Sequence, residues 1–320
     1  MLDAHQMNVF LIAAQTLNFS EAARRLNMSQ PSVSQHIQTL ESRFGCDLFT
    51  RKGRHLTLTD EGEALLPLTR QMVNMSINIE ETMASLHGRV HGHLVIGCCT
   101  TAGRFLLPKL LAKFRIAHPH VQVTCHVTDQ ETAMRMLSEG KLHLAVASDR
   151  DVAKDAEYIR FLTDPVVLVV PPDHPWAKRD VIEPEELRDA EFIFREEGSG
   201  TRLAVSLAMP EVGISVDELT IIMTLGTSSS IAMAVSEGVG VAFLTKLAVE
   251  GRLERSELAE VQVKGLMMAQ EVWLGRNLHQ PATQAQGAFW EFVCDPGNEI
   301  LVDLRWPASV VNANSADTVA

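Results

Sequence analysis

The chain has little that could crosslink it, carry a metal, anchor it in a membrane or break a covalent bond. It has five cysteines, Cys46, Cys98, Cys99, Cys125 and Cys294. They form no C-x-x-C pair, so neither a disulfide framework nor a zinc site is expected. The adjacent Cys98 and Cys99 allow two readings, small buried thiols in a strand or a redox sensor. The twelve histidines show no ligand spacing, and His118 and His120, on either side of Pro119, read as a solvated helix end. No G-x-S-x-G, H-E-x-x-H or Walker sequence is present, and Gly238 and Gly240 lack the third glycine of a nucleotide loop. We therefore expect no enzyme, no cofactor and no metal. The longest apolar runs, such as Val166 to Pro172, are too short to span a bilayer. The polar N-terminus carries no signal peptide. A cytoplasmic protein without a membrane partner is the expectation.

Positive charge is also in deficit. The net charge of −12 argues by itself against nonspecific nucleic-acid binding. Its distribution changes that reading, because residues 1–58 carry +2 and the remainder −14. With 320 residues, two or three domains are expected.

The basic segment centres on Asn18 to Phe49, which reads as two helices and a tight turn. Ser20 is placed as an N-cap with Glu21 behind it, and Asn27 suits a left-handed stop. Ser29 caps a second helix that admits Pro31 in its first turn. Val33, Ile37 and Leu40 form its buried stripe. Gln35, Gln38 and Ser42 face outward, flanked by Ser34 and Thr39, and such groups read base edges in the major groove. Upstream, Phe10, Ala14 and Leu17 predict a helix over Asp3 to Leu17. Downstream, Leu56 and Leu58 alternate with Thr57 and Thr59 as in a strand. Arg51, Lys52 and Arg54 surround Gly53 at the tip of a two-stranded wing, suited to phosphate contact.

On these residues the first sixty positions resemble the winged helix-turn-helix of LysR-type transcriptional regulators. The resemblance is carried by Phe10, Phe19, Ala22, Ala23, Leu26, Ser29, Gln30, Pro31, Ser32, Ser34, Leu40, Glu41, Leu48, Phe49, Arg51, Leu56, Thr57 and Gly62. Many family members have Arg after the serine matching Ser34, where this chain has Gln35. The candidate DNA-binding set is Gln30, Pro31, Ser32, Ser34, Gln35, Gln38, Arg51, Lys52 and Arg54. Promoter DNA is the expected partner, with RNA polymerase a further one.

From Thr59 to about His87 runs a long helical pattern, capped by Thr59 and bent near Pro67. Leu65, Leu68, Met72, Met75, Ile79, Met83 and Leu86 repeat every three or four residues, a seam for pairing two chains. Packing on its own domain is the alternative reading. Gly88 to Gly92 reads as a break. Beyond it strands and helices alternate: strands at Leu94–Ile96, Val121–Val127 and Leu142–Ala147, helices at Gly103–Ala117 and Gln130–Glu139. The order restarts with strands at Val166–Val170, Glu191–Phe194, Leu219–Met223, Val239–Leu244 and Glu271–Leu274. Helices are placed at Thr201–Met209, Ser228–Glu237 and Thr283–Val293. Such an order predicts a largely parallel sheet with helices on both faces.

The expected class is α+β multidomain. The winged helix-turn-helix covers 1–58, a linker and dimerisation helix 59–90, and an α/β effector domain 91–300. A polar tail over 301–320 ends in disorder. The resemblance implies two Rossmann-like subdomains of the type 2 periplasmic-binding-protein kind, 91–163 with 267–300 and 164–266, with the chain crossing twice. It also implies a homodimer or homotetramer.

Three hydroxyl clusters precede helices: Thr100-Thr101-Ala-Gly103, Glu197-Gly-Ser199-Gly-Thr201-Arg202 and Gly226-Thr227-Ser228-Ser229-Ser230. Each offers free backbone N–H groups at a helix N-terminus, a ready anion site. Ordinary N-capping explains any one of them. Together they predict a small anionic metabolite held by Thr100, Thr101, Ser199, Gly200, Thr201, Thr227 and Ser228, through N–H and hydroxyl groups rather than a buried cation. The Gly198-to-Arg202 run is similar to the family branch that regulates carbon fixation and sulfur assimilation. A thiol-based regulator using Cys98 or Cys99 and a solute receptor that does not bind DNA are the rival readings.

Overall fold

A computed structural model describes residues 1–52, 55–86, 89–148, 156–295 and 297–298. The expected wing tip at Gly53 and Arg54, part of the break after the long helix, and the polar tail lie outside these residues. So do the side chains of Arg51 and Lys52. The chain forms two compact units, Met1–Gly92 with His279–Gln284, and His93–Leu278 with the remainder.

The first unit begins with helices α1 (Ala4–Thr16), α2 (Phe19–Leu26) and α3 (Gln30–Phe44). Asp3 caps α1. Leu17, expected on the buried stripe, is instead its left-handed C-cap and 43% exposed, because the chain must turn there. The cap of α2 is Asn18, not Ser20: its Oδ1 accepts the Ser20 and Glu21 N–H groups at 2.9 and 3.1 Å. Asn and Ser are comparable caps, and Asn18 lies two residues earlier, so the helix starts at Phe19. Asn27 takes the left-handed stop and Ser29 caps α3. Val33, Ile37 and Leu40 are buried in one core with Phe10, Ala22 and Leu48.

Strands β1 (Phe49–Lys52) and β2 (His55–Leu58) form the antiparallel wing. Glu41 ties it to α3 by accepting the Leu48 and Phe49 N–H groups at 2.9 and 3.3 Å. The Phe49 ring lies edge-on to Phe10 and Phe19. Helix α4 (Asp60–Ser85) starts from the Thr59 cap and continues through Pro67. At about 1.5 Å per residue it is roughly 40 Å long. The seam divides along it. Leu65 and Met72 pack partly against the helix-turn-helix core. Leu68, Met75, Ile79, Met83 and Leu86 stay 42% to 66% exposed. The N-terminal turns of α4 thus meet their own domain, and the distal apolar row lies open.

In the second unit, β3 (Gly92–Cys98) leads through a π-helical turn, Ala102–Leu106, into α5 (Leu107–Ala117). Then come β4 (Val121–Val127), α6 (Gln130–Ser138) and β5 (Leu144–Ala147). The expected strand Val166–Val170 is the end of a far longer one, β6 (Ala156–Val170). The residue 163/164 boundary therefore falls inside a strand. After β7 (Val181–Ile182) and β8 (Glu191–Arg195) follow α7 (Gly200–Ala208), β9 (Thr220–Leu225), α8 (Ser228–Ser236) and β10 (Ala242–Thr245). Helix α9 (Lys246–Glu254) and strand β11 (Ala259–Val263) have no counterpart in the pattern reading. The chain then forms β12 (Ala269–Asn277) and α10 (Gln284–Cys294).

The sheet is mixed rather than largely parallel. Strands β3 and β5 are parallel, but β6 runs antiparallel to β10, β11 and β12, while β8 and β9 pair in parallel as a separate two-stranded sheet. Alternation along β6 sets up two packing layers. Val166, Leu168 and Val170 join Phe192, Phe194 and Val205 on one side, while Val169 meets Ile193, Ile231 and Val249 on the other. In the lobe built on β3, β4 and β5, the Phe114 ring of α5 stands edge-on to Phe289 of α10 at 5.0 Å.

Gly62 marks a tight joint of the first unit against backbone. A Cβ there would lie 2.3 Å from the Leu48 carbonyl oxygen and 2.9 Å from Leu58 Cδ2. Backbone on one side leaves little room for relief, so Gly62→Ala should destabilise the domain by about 1–3 kcal/mol. Far-UV circular dichroism melts of the intact protein should show an earlier loss of helix; an unchanged melt would contradict the packing.

Candidate functional site

The outer face of α3 is polar because its apolar residues are used in the core. Gln30, Pro31, Gln35 and Gln38 are exposed, and Ser32 and Ser34 half-buried. Gln30 Nε2 donates to Ser34 Oγ at 2.8 Å, so these side chains are already ordered beside one another. On α2, Arg24 and then Arg25 hydrogen-bond Glu21 and hold its pKa down to about 2. Those two cations are therefore not free charges.

The second site is a cavity of about 540 Å³ between the two lobes of the second unit. Cys99, Thr100, Thr101 and the Val127–Glu131 segment line it from one lobe, and Arg195–Thr201 and Gly226 from the other. Ser148 and Gln270 complete the wall. Of the expected residues, Thr100, Thr101, Ser199, Gly200 and Thr201 come together here. Ser199 Oγ caps α7 by accepting the Arg202 N–H. The N–H groups of Gly200 and Thr201 precede the helix's own hydrogen-bonding range. Glycine is needed at 200 for close approach: a Cβ would lie 2.5 Å from Ser148 Cβ and 2.8 Å from Gln270 Nε2. Thr201 Oγ1 donates to Gln270 Oε1 at 3.0 Å. On the opposite wall the π-helical turn follows directly on Thr101. Such wide turns recur at functional sites.

Thr227 and Ser228 are placed differently. Thr227 does not line the cavity; it caps α8 and shares a hydrogen bond with Ser230. Ser228 is buried behind the wall. There its Oγ accepts from Arg195 Nη1 at 2.9 Å and lies 3.4 Å from Thr101 Oγ1 in the other lobe. Arg195 corrects the expectation of an anion site without a buried cation. It ends β8, is 8% exposed and lines the cavity. The apolar run Phe192–Phe194 hides it from a pattern search. Yet a charge at the carboxyl end of a buried parallel strand, just before Gly-Ser-Gly, occupies a position where α/β sheets hold ligands.

The cavity wall is also acidic. Asp129, Glu131, Glu196 and Glu197 all line it. Asp129 caps α6 through Thr132 N–H at 2.8 Å, and that bond keeps its carboxyl below the usual pKa. Burial is the largest influence on Glu196 and works against its charge, but the Arg195 hydrogen bonds, a backbone hydrogen bond and the Arg195 charge together outweigh it, and its pKa is lowered. Asp129 thus already occupies the N-terminus of α6, and a ligand must use other donors.

The thiol partners differ from the sequence pairing. Cys98 Sγ lies 3.4 Å from Cys125 Sγ, while Cys99 lines the cavity. The hydrogen bond to Cys125 and burial push the Cys98 thiol pKa up. Among the described residues no group of three or more His, Cys, Asp or Glu could hold a metal ion. Nor is any described helix long and apolar enough to cross a membrane.

Two family models cover most of the chain. Residues 4–63 match the model of the bacterial regulatory helix-turn-helix protein, LysR family. Residues 87–295 match that of the LysR substrate binding domain. A helix-turn-helix-type transcriptional regulator of Methanocaldococcus jannaschii is 31% identical over 89% of this chain and 96% of its own. The RuBisCO operon transcriptional regulator of Allochromatium vinosum is 31% identical over 90% of this chain and 94% of its own. Among solved structures, the regulatory domain of Synechocystis CcmR in complex with 2-PG is 25% identical, with a TM-score of 0.60. It covers 68% of this chain and 100% of its own.

Asp164 lies on β6 opposite Gln270 of the cavity wall. It is 2% exposed, and its Oδ1 accepts the Leu247 N–H at 3.0 Å. Burial raises its pKa to about 7, although that hydrogen bond opposes the rise. The folded pKa is above the unfolded one, near 3.9. Its contribution to stability is therefore full below about pH 4 and is lost as pH rises through about 7. Asp164→Asn keeps the acceptor and removes the titration. Melts between about pH 5 and pH 8 should show the wild type losing more stability than the variant as pH rises. Parallel curves would contradict a neutral Asp164.

Proposed function

The chain belongs to the LysR family of bacterial transcriptional regulators, and on that premise we propose that it controls promoters in response to a small anionic metabolite bound between its two effector lobes. It acts in the cytoplasm, as a homodimer or homotetramer, and catalyses no reaction. The observation that carries the reading is the cavity itself. Thr100 and Thr101 of one lobe face Ser199, Gly200 and Thr201 of the other. A ligand gripping both walls favours one lobe arrangement, and only such differential affinity shifts a conformational equilibrium. The 2-PG bound by the Synechocystis CcmR regulatory domain supports a small ligand. The relation to a RuBisCO operon regulator supports one from carbon metabolism.

On the DNA side, Gln30, Pro31, Ser32, Ser34, Gln35 and Gln38 read bases and the adjacent backbone, and Arg51, Lys52 and Arg54 of the wing hold phosphates. The exposed, amide-rich face of α3 supports this assignment. RNA polymerase at the same promoter is the further partner of a regulator bound there.

The reading is tested by footprinting the intact protein on its own upstream region, with and without phosphorylated and carboxylic acids of central metabolism. An effective anion should change the protected pattern. Thr101→Ala should weaken that response about ten- to a hundredfold, the worth of one hydrogen bond to a charged ligand, and leave effector-free DNA binding intact. A Thr101→Ala protein with a full response would remove this threonine from the site.

Assembly through the distal row of α4 is tested separately. Met75 and Ile79 are both exposed. Met75→Glu with Ile79→Glu would bring four like charges together in a two-chain seam. Light scattering should report a smaller particle, and operator affinity should fall by at least about tenfold as paired half-sites are lost. Unchanged mass and affinity would mean that the row is not the seam.

A further inference from the structure

Arg195 holds the only buried guanidinium described on the cavity wall, and its hydrogen bonds are unevenly shared. Nε donates to Glu196 Oε2 at 2.9 Å and Nη2 to Glu196 Oε1 at 2.8 Å, a fork meeting a fork. Nη1 donates to Ser228 Oγ at 2.9 Å, and Nη2 reaches the Gly226 carbonyl at 3.4 Å. The partners differ in exposure. Arg195 is fixed within the wall, with its side chain 8% exposed, whereas the Glu196 side chain is 42% exposed. Glu196 also lines the cavity. The carboxylate can therefore leave into solvent, while the guanidinium cannot follow.

A buried cation must have a counter-charge. A two-oxygen anion is what its fork accepts best. We propose that Glu196 is a built-in stand-in for the ligand: its carboxylate occupies the Arg195 fork in the empty cavity and is displaced when the carboxylate or phosphoryl group of the effector takes that fork. Exchange reaches the other lobe by a short path, since Ser228 lies 3.4 Å from Thr101. It also sets a threshold. An incoming anion must bind Arg195 better than an attached carboxylate at high effective concentration, which disfavours weakly coordinating anions. The inference rests on the anionic-effector reading, and names which group that effector must replace.

Isothermal titration calorimetry of the full-length protein, at constant ionic strength, can test it with phosphoglycolate, inorganic phosphate and sulfate. Glu196→Gln removes the counter-charge and one of the two acceptors from the fork, leaving a weaker neutral occupant, and should tighten binding of at least one anion by about fivefold or more. Glu197→Gln changes the same charge on the neighbouring residue and should alter affinity by less than about twofold. Arg195→Lys keeps the charge but loses the fork, and should weaken binding about tenfold. If the wild type binds and Glu196→Gln gains nothing, the stand-in is overturned while the effector reading survives. Equal gains from Glu196→Gln and Glu197→Gln would also overturn it, by showing a general field in place of a specific exchange. If neither wild type nor Glu196→Gln binds any of the three, both the stand-in and the anionic-effector reading fall.

Discussion

Strands β6 and β12 run antiparallel from one lobe into the other, and their ladder is the continuity on which the cavity depends. At one end β12 pairs with β5 through Trp273, Leu274 and Gly275. At the other, β6 pairs with β10 and β11 through Val166 to Val170. Asp164 and Gln270 face each other where this ladder passes the cavity. Gln270 reaches up to Thr201, and Asp164 accepts from the first turn of α9. Elements far apart in sequence are thereby fixed against the same two strands. A mixed sheet is the consequence, because two crossings of one interface must run in opposite directions.

The winged helix-turn-helix was legible because its information is local. Caps, the Val33–Ile37–Leu40 stripe and the wing alternation each lie within a few residues of the structure they specify. Even the misplaced cap, Ser20 for Asn18, is an error of two positions between residues of equal capping power. The heptad row of α4 was also legible, but not its division. That depends on which turns meet the core around Val73, a tertiary fact.

The effector domain was legible as an alternation of elements and not as a topology. Val166–Val170 is continuously apolar and so stood out, whereas Ala156–Asp164 carries Glu157, Arg160 and Asp164 and is assigned no element from the pattern. Those residues are strand because β12 pairs with them across more than a hundred positions of sequence. Helix α9 and strand β11 escaped because each is short and carries few apolar positions in the core clusters, Ala248 and Val249 on one and Val261 and Val263 on the other. At the site, hydroxyl clusters marked Thr100, Thr101, Ser199 and Thr201 correctly as neighbours of one cavity. They could not separate Thr227, which only caps, from Ser228, which links Arg195 to the other lobe.

Electrostatics then narrows what the cavity selects. The oriented N–H groups of α7 favour negative charge within the first turn. At α6 the same advantage is already taken by Asp129. Around these donors stand Glu131, Glu196 and Glu197, so the field inside does not by itself draw anions in. Affinity must come from geometry at short range: a group that meets the α7 turn and the Arg195 fork together gains charge-assisted hydrogen bonds, while a diffuse anion meets net repulsion. A cavity lined this way discriminates by the number and placement of a ligand's oxygens more than by its charge. Such discrimination is what the proposed anionic effector would require.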